Sequence, residues 1–230
     1  MVLKVFLTGG SGTLGRELVA QSEAFGVHFC APSSKDCDIT DYDSVLRNIQ
    51  SFDGDAVLHS AALTNTRQIE LDASEAIEVN VLGTLNVLNA CKRFGKKMIF
   101  ISTDYVFDGK KGRYKPTDPI NPLGKYSKTK AAAELLVRTY YNSLVIRTSF
   151  FAHSFPYEKA FVDIWSSKDY VDVIAPKILN KIKECETGIA HVGSARRSLY
   201  EIAKLRKKEV EKISTTEEMT VIPKDTSFNE

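Results

Sequence analysis

Tyr126 and Lys130 stand four residues apart at the head of the Ala/Leu-rich stretch that runs through Ala131, Ala132, Ala133, Glu134 and Leu135. That spacing on a helix puts both side chains on one face. A phenol beside an ammonium is an acid–base pair, because the positive charge favours the phenolate and draws the Tyr pKa down from its reference near ~10. Such a phenol exchanges protons with a substrate oxygen at neutral pH. The plainer reading is a Tyr and a Lys on a solvated helix, and what the rest of the chain brings to that face decides between them.

The elements that would position the pair begin at the N-terminus. Val2–Leu7 is short, apolar and β-prone, like a buried parallel strand. It runs into a turn in which Gly9, Gly12 and Gly15 are spaced G-x-x-G-x-x-G, with Ser11, Thr13 and Leu14 between them, and then into a helix from Arg16. Glycine permits the tight strand-to-helix turn and lets a pyrophosphate approach the backbone, with the phosphates on the free N–H groups of the helix. Between a first strand and a first helix, this loop predicts dinucleotide binding.

Val27–Cys30 reads as the second strand, and no acid stands at its end to bind a ribose 2′-hydroxyl. Ser33, Ser34 and Lys35 follow, suited to a 2′-phosphate or simply a polar loop; the first reading favours NADP(H), with NAD(H) as the alternative. Asp38 and Ile39 lead to Thr40 and Asp41, either of which can cap a helix through Val45 and Ile49. Asp55 to Ala62 is a third strand ending in the small residues Ser60, Ala61 and Ala62, which leave room for a cofactor. His59 within it reads as structural. A helix is predicted from about Asp72 to Phe94, containing Asn80 and Gly83, the glycine there for packing.

The fourth strand, Met98–Ile101, delivers Ser102 and Thr103 to the sheet's carboxyl edge. A Pro/Gly-rich loop from Asp108 to Leu123 brings the chain back to Tyr126, and Leu144–Arg147 is a fifth strand. Strands alternating with helices imply βαβ units and a doubly wound, Rossmann-like parallel α/β sheet over residues 1–150. Residues 151–230 read as a small, mainly helical substrate-binding region packed on it. There, aromatics are dense from Phe150 to Tyr170, helices are predicted over about 168–184 and 198–212 around a strand at Ile189–Val192, and Val221–Phe228 is apolar enough to dock. The basic run Lys204–Lys212 reads as a solvated face.

Composition narrows the classes. The chain of 230 residues is 43% hydrophobic and 26% charged with a net charge of +2, which argues against a strongly basic nucleic-acid binder. No apolar run approaches the ~18–20 residues of a membrane span, and the N-terminus lacks a signal-peptide pattern. Cys30, Cys37, Cys91 and Cys185 form no CxxC and no metal-like cluster with His, so inert thiols in a reducing cytoplasm, and no metal, are expected.

With these residues placed, the chain resembles the extended short-chain dehydrogenase/reductases, and within them the dTDP-4-dehydrorhamnose reductase group. The likeness rests on Thr8–Gly15, Ser60–Asn65, Asn80–Thr84, the specific string Ser102-Thr103-Asp104-Tyr105-Val106-Phe107-Asp108-Gly109, Tyr126–Lys130 and Ile146–Ser149. It implies a catalytic trio of Thr103, Tyr126 and Lys130. In that scheme a nicotinamide gives hydride to a sugar ketone, Tyr126 supplies the proton, Thr103 holds the same oxygen, and Lys130 binds the nicotinamide ribose and lowers the Tyr126 pKa. Asn80 supports the cofactor side, and Asp104, Tyr105, Arg67 and Arg197 border the nucleotide sugar; a homodimer is compatible with the group. The chain departs from it at Leu63 (usually Tyr), Arg67 (usually Asp) and Ser127 (usually Gly), and only about eighty residues follow Phe150. An epimerase or dehydratase, and a cofactor-binding regulatory subunit without catalysis, are the competing expectations.

Overall fold

The computed structural model describes residues 2–184, 186–216 and 221–229. Strand β1 (Leu3–Thr8) buries Val5, Phe6 and Leu7 in succession, so neither of its faces suits water. Helix α1 (Thr13–Gln21), β2 (Val27–Cys30), α2 (Tyr42–Ser51) and β3 (Ala56–His59) follow. Asp41 caps α2 by accepting from the Asp43 N–H, satisfying a group the helix leaves unpaired.

Next come α3 (Thr66–Leu71), the short α4 (Ser74–Ala76), a π-helical turn (Ile77–Leu82) and α5 (Gly83–Arg93). The segment expected as one helix from Asp72 therefore starts at Ser74 and is wound wider in its middle. The wide turn carries Asn80, whose side chain bonds both the N–H and the C=O of Leu63. Such turns recur at functional sites because they re-aim a side chain without ending the helix. A Cβ on Gly83 would meet Ile39 at 2.8 Å, which is the packing reason for that glycine.

Strand β4 (Lys97–Thr103), helix α6 (Lys125–Val137) and β5 (Ser143–Thr148) complete the alternation. Four two- or three-residue strands follow, β6 (Phe150–Phe151), β7 (Lys159–Phe161), β8 (Trp165–Ser166) and β9 (Asp169–Tyr170). The chain ends through α7 (Val171–Glu184), β10 (Gly188–Val192), β11 (Arg197–Ser198), α8 (Leu199–Lys204) and β12 (Glu211–Ile213).

Six strands form one parallel sheet in the order β2-β1-β3-β4-β5-β10. Helices cover both faces, as an all-parallel sheet requires. Val5 and Leu7 point to Leu14 and Leu18 of α1 and to Ile174, Ile178 and Ile182 of α7. Phe6 points the other way, to Val45, Ile49, Val87 and Val137. Each fully buried aliphatic contributes about 1.5–3 kcal/mol. The doubly wound sheet expected from the alternation is present, and its winding reverses between β1 and β3, where such sheets open a crevice at the strands' carboxyl ends. The sixth strand comes from beyond residue 150, and α7 packs against α1.

The C-terminal helices are shorter than the pattern predicts. The first starts at Val171 because Asp169 and Tyr170 pair with β6. The second starts at a capping box of Ser198 and Glu201 but stops at Lys204, so that residues 211–213 can pair with β7. In the basic run, Arg206 pairs with Asp172 at 2.7 Å and Lys207 with Glu158 at 2.6 Å, so part of it is a bonded seam rather than a solvated face.

The final segment docks, as its apolar character predicts. Phe228 is buried and stacks on His191 with ring centroids 4.1 Å apart. Tyr114 donates its N–H to the Ser227 carbonyl at 2.7 Å, which clips the Pro/Gly-rich loop to the sheet's edge. His59 is structural: fully buried, it bonds Thr8 at 2.6 Å and Thr84 at 3.0 Å, and burial, aided by the Lys130 charge, pushes its pKa down to about 3. Burial likewise pushes the Cys37 and Cys91 thiols up, to about 11 and about 12, while Cys30 is exposed and Cys185 lies outside the described residues. Among the described residues no helix is long and apolar enough to cross a membrane, and no group of side chains could hold a metal ion.

Candidate active site

Strands β4 and β5 run in register to their carboxyl ends, where Thr103 lies opposite Thr148. All of β4 is buried, so its last residue is delivered to a fixed place. The Thr103 hydroxyl accepts from the Tyr105 N–H at 3.2 Å, capping the single turn that follows. From there the loop returns to α6, which begins with Gly124 as N-cap, and Ser127 donates its hydroxyl to the Gly124 carbonyl at 2.9 Å. Tyr126 therefore sits in the first turn of α6 and Lys130 one turn later. Thr103, Tyr126 and Lys130 all line one cavity of about 440 Å³, whose opposite wall is the glycine loop from Gly12 to Gly15.

The electrostatics of the pair differ from what the spacing implied. The Lys130 ammonium donates to the Ile101 carbonyl at 2.9 Å and lies 4.2 Å from the Phe100 ring centroid. Burial pushes its pKa down to about 7, opposed by the charge of Glu134 one turn away. Tyr126 moves up, not down: burial dominates, the Asp104 charge adds to it, and a hydrogen bond with Thr103 only partly opposes them. In this geometry Lys130 is engaged by the sheet's backbone, so the expected lowering of Tyr126 by Lys130 is absent.

Behind the site lies a buried ion pair. Glu134 and Arg147 are both fully buried and meet at 2.6 Å; Glu134 also accepts from the Ser102 hydroxyl at 2.7 Å, and Arg147 reaches the Pro116 carbonyl at 3.2 Å. The ion pair, with the Ser102 bond, thus ties α6 to β4 and β5.

The glycine wall of this cavity is shaped for close approach of a phosphate group. Gly12 caps α1 without any side-chain bond, so the helix's first N–H groups face the cavity. A Cβ at Gly15 would fall 2.2 Å from the Gly9 carbonyl oxygen, so only glycine lets α1 approach the turn this closely. Gly9, Gly12, Thr13, Leu14, Ser60 and Ala62 line the cavity. Ser11, Ala61 and Asn80 do not; Asn80 instead braces Leu63 against Thr129 of α6, at 3.1 Å from its hydroxyl. Ser33, Ser34, Lys35, Asp38 and Ile39 lie outside the lining too, with the Ser33 hydroxyl donating to Asp36 at 2.6 Å and Asp38 accepting from Thr40.

Residues 3–180 match the RmlD substrate binding domain family. The chain belongs to that family. A dTDP-4-dehydrorhamnose reductase of Aggregatibacter actinomycetemcomitans is 36% identical over 180 residues, covering 76% of this chain and 61% of the relative. The chain thus spans less than two thirds of the length of that relative. The crystal structure of a dTDP-4-dehydrorhamnose reductase from Bacillus anthracis in complex with NADP superimposes with a TM-score of 0.88 at 27% identity, covering 99% of this chain and 90% of that one. Methionine adenosyltransferase 2 subunit beta of Danio rerio is also similar, 32% identical over 143 residues, or 57% of this chain and 42% of its own.

In this RmlD-family chain a second cavity, of about 810 Å³, adjoins the first and shares Thr66, Tyr105, Tyr126, Phe151, Tyr157 and Lys168 with it. Arg67 lines the second cavity, and Tyr105 lines both. Arg197 lines neither and faces Asp169 at 3.8 Å. Asp104 borders the first cavity, but its carboxylate is committed to the fold, accepting from Ser166 at 3.0 Å and Thr226 at 2.7 Å. Sequence reasoning missed Phe151, Tyr157 and Lys168 as lining residues; the density of aromatics after Phe150 was the available signal for the first two.

Proposed function

We propose that the protein is an NADPH-dependent reductase that delivers hydride to the ketone of a 4-keto nucleotide sugar, with Thr103, Tyr126 and Lys130 as its catalytic residues. The observation that carries this reading is the convergence of those three side chains on one cavity walled by a phosphate-binding loop. A nicotinamide held in this cavity would supply the hydride. Tyr126, held protonated by its surroundings, gives its proton to the alkoxide oxygen, a far stronger base than phenolate. Thr103 holds that same oxygen, and Lys130 holds the nicotinamide ribose. The relatives named dTDP-4-dehydrorhamnose reductase support a dTDP-linked sugar, and the NADP complex of the Bacillus anthracis protein supports NADP(H); Lys35 is the proposed partner of the 2′-phosphate.

The reductase is favoured over a dehydratase by Asp104. A dehydratase needs an acid beside Thr103 free to protonate a leaving hydroxyl, and here the carboxylate is 1% exposed and hydrogen-bonded to Ser166 and Thr226. The similarity to the Danio rerio subunit keeps a second reading, a cofactor-binding regulatory subunit. Incubation with NADPH and a panel of dTDP-keto sugars separates the readings. Steady NADPH oxidation is the expected result; isomer formation without net oxidation would assign an epimerase, and tight NADPH binding without turnover on any sugar would assign the subunit.

A further inference from the structure

Lys168 stands where the two cavities adjoin and lines both, beside Tyr126. Its ammonium lies 4.7 Å from the ring centroid of Phe151 and 5.5 Å from that of Tyr105. Ring faces attract a cation without neutralising it. The acids around it are committed to other groups. Asp169 accepts from the Tyr170 N–H at 2.8 Å and faces Arg197, and Asp104 is held by Ser166 and Thr226. On the wall of the larger cavity, Glu158 pairs with Lys207 and Glu70 accepts from the Lys125 N–H at 2.6 Å. Among the described residues no carboxylate pairs with Lys168.

The root of this side chain is fixed. The Lys168 N–H donates to the Ser166 hydroxyl at 3.0 Å, and that hydroxyl donates onward to Asp104. The half-buried cation is thus presented on a braced backbone at the junction of the two cavities, the larger of which has mainly apolar walls. The cofactor's phosphates already have the N-terminus of α1, on the glycine-loop wall of the smaller cavity. Of the other cations on the larger cavity, Lys159 pairs with Glu211 at 3.0 Å, which leaves Arg67 without a carboxylate partner among the described residues.

We propose that Lys168 receives the substrate's diphosphate, with Arg67 flanking it, and thereby selects nucleoside-diphosphate sugars over uncharged ones. This rests on the reductase reading above. A diphosphate on the anomeric carbon lies one sugar ring away from the ketone, so a cation that borders the same chamber as Tyr126 meets the diphosphate when the ketone meets the phenol.

The test is a titration of NADPH-saturated protein with dTDP, with thymidine as the uncharged control, for wild type, Lys168→Met and Lys168→Arg. Wild type should bind dTDP, Lys168→Met should weaken it by roughly 10–100-fold with NADPH affinity unchanged, and Lys168→Arg should restore most of it. Thymidine binding should be the same in all three. Equal dTDP affinity in wild type and Lys168→Met would overturn the assignment while leaving the reductase reading intact. A loss of NADPH affinity as large as that for dTDP would also overturn it, because the lysine would then serve the cofactor. Absence of dTDP binding by the wild type would bring down the nucleotide-sugar reading itself, and this proposal with it.

Discussion

The hydroxyl of Thr226 donates to the carboxylate of Asp104 at 2.7 Å, joining the end of the described chain to the residue next to Thr103. Asp104 also accepts from Ser166 and, at 3.3 Å, from Thr103 itself. One buried carboxylate therefore gathers the end of β4, the segment that leads to Lys168 and the segment around Thr226. Leaving a buried acceptor short of a partner costs about 1–3 kcal/mol. Thr226→Val should lower the denaturant midpoint accordingly and reduce turnover, with little change in NADPH affinity. Turnover and stability both at wild-type level would show that the contact positions nothing.

Tyr126→Phe removes the only proposed proton donor while keeping the ring. Hydride transfer should fall by roughly 10²–10⁴-fold, the usual share of general acid catalysis. Fluorescence titration should find NADPH bound nearly as tightly as in the wild type. A variant that turns over normally would sink the mechanism.

Lys130 gives a pH dependence with a definite sign. Its pKa in the folded protein is about 7, against 10.5 for the unperturbed side chain. Between those values the unfolded chain binds more protons than the folded one, so this group makes stability rise with pH. Its contribution is fully present above the unfolded value and is lost as pH falls through about 7. Urea titrations at pH 7 and pH 9 should show that rise in wild type, and Lys130→Met should flatten it; an identical rise in the variant would assign the effect to other groups.

The Glu134–Arg147 pair is buried on both sides, so removing one partner strands the other. Glu134→Ala should cost about 3–5 kcal/mol of stability, read as a shifted urea midpoint, whereas breaking the exposed Lys4–Asp53 pair by Lys4→Ala should leave the midpoint almost unchanged. Similar losses in the two variants would contradict the assignment of Glu134 and Arg147 as a structural brace.

Cofactor preference is tested at Lys35, which is exposed on the loop after β2. Lys35→Ala should weaken NADPH by roughly tenfold and leave NADH almost unchanged, since only the first carries a 2′-phosphate for the ammonium to meet. Equal effects on both would remove the basis for preferring NADP(H).

What could be read in the sequence was mostly local. Gly9, Gly12 and Gly15 fall at a spacing that a strand-to-helix turn imposes within a few residues, and Tyr126 and Lys130 at a spacing that one helical turn imposes. Spacing put the phenol and the ammonium on one face but could not reveal that the Ile101 carbonyl captures the ammonium, because that contact crosses from helix to sheet. Lys168 was invisible for the same reason: its aromatic neighbours come from two distant segments. The π-helical turn at Ile77–Leu82 keeps an ordinary amphipathic pattern, so only the demand of Leu63 on Asn80 exposes it. Ser198 and Glu201 announced the start of α8, yet no Gly or Pro marks its stop, which is set by pairing with β7.

The clasp between the C-terminal segment and the sheet's edge also has a consequence in time. Asp104 and Thr226 are separated by 122 positions, and chains fold from the N-terminus as they emerge from the ribosome. The glycine loop and the first strands are made early, but the core they share with α1 is covered only when Ile174, Ile178 and Ile182 follow. The carboxylate beside Thr103 must wait with one of its partners missing until Thr226 has been made. Assembly of the cavity's walls is therefore staggered, with the glycine-loop side made before the segment that braces Asp104.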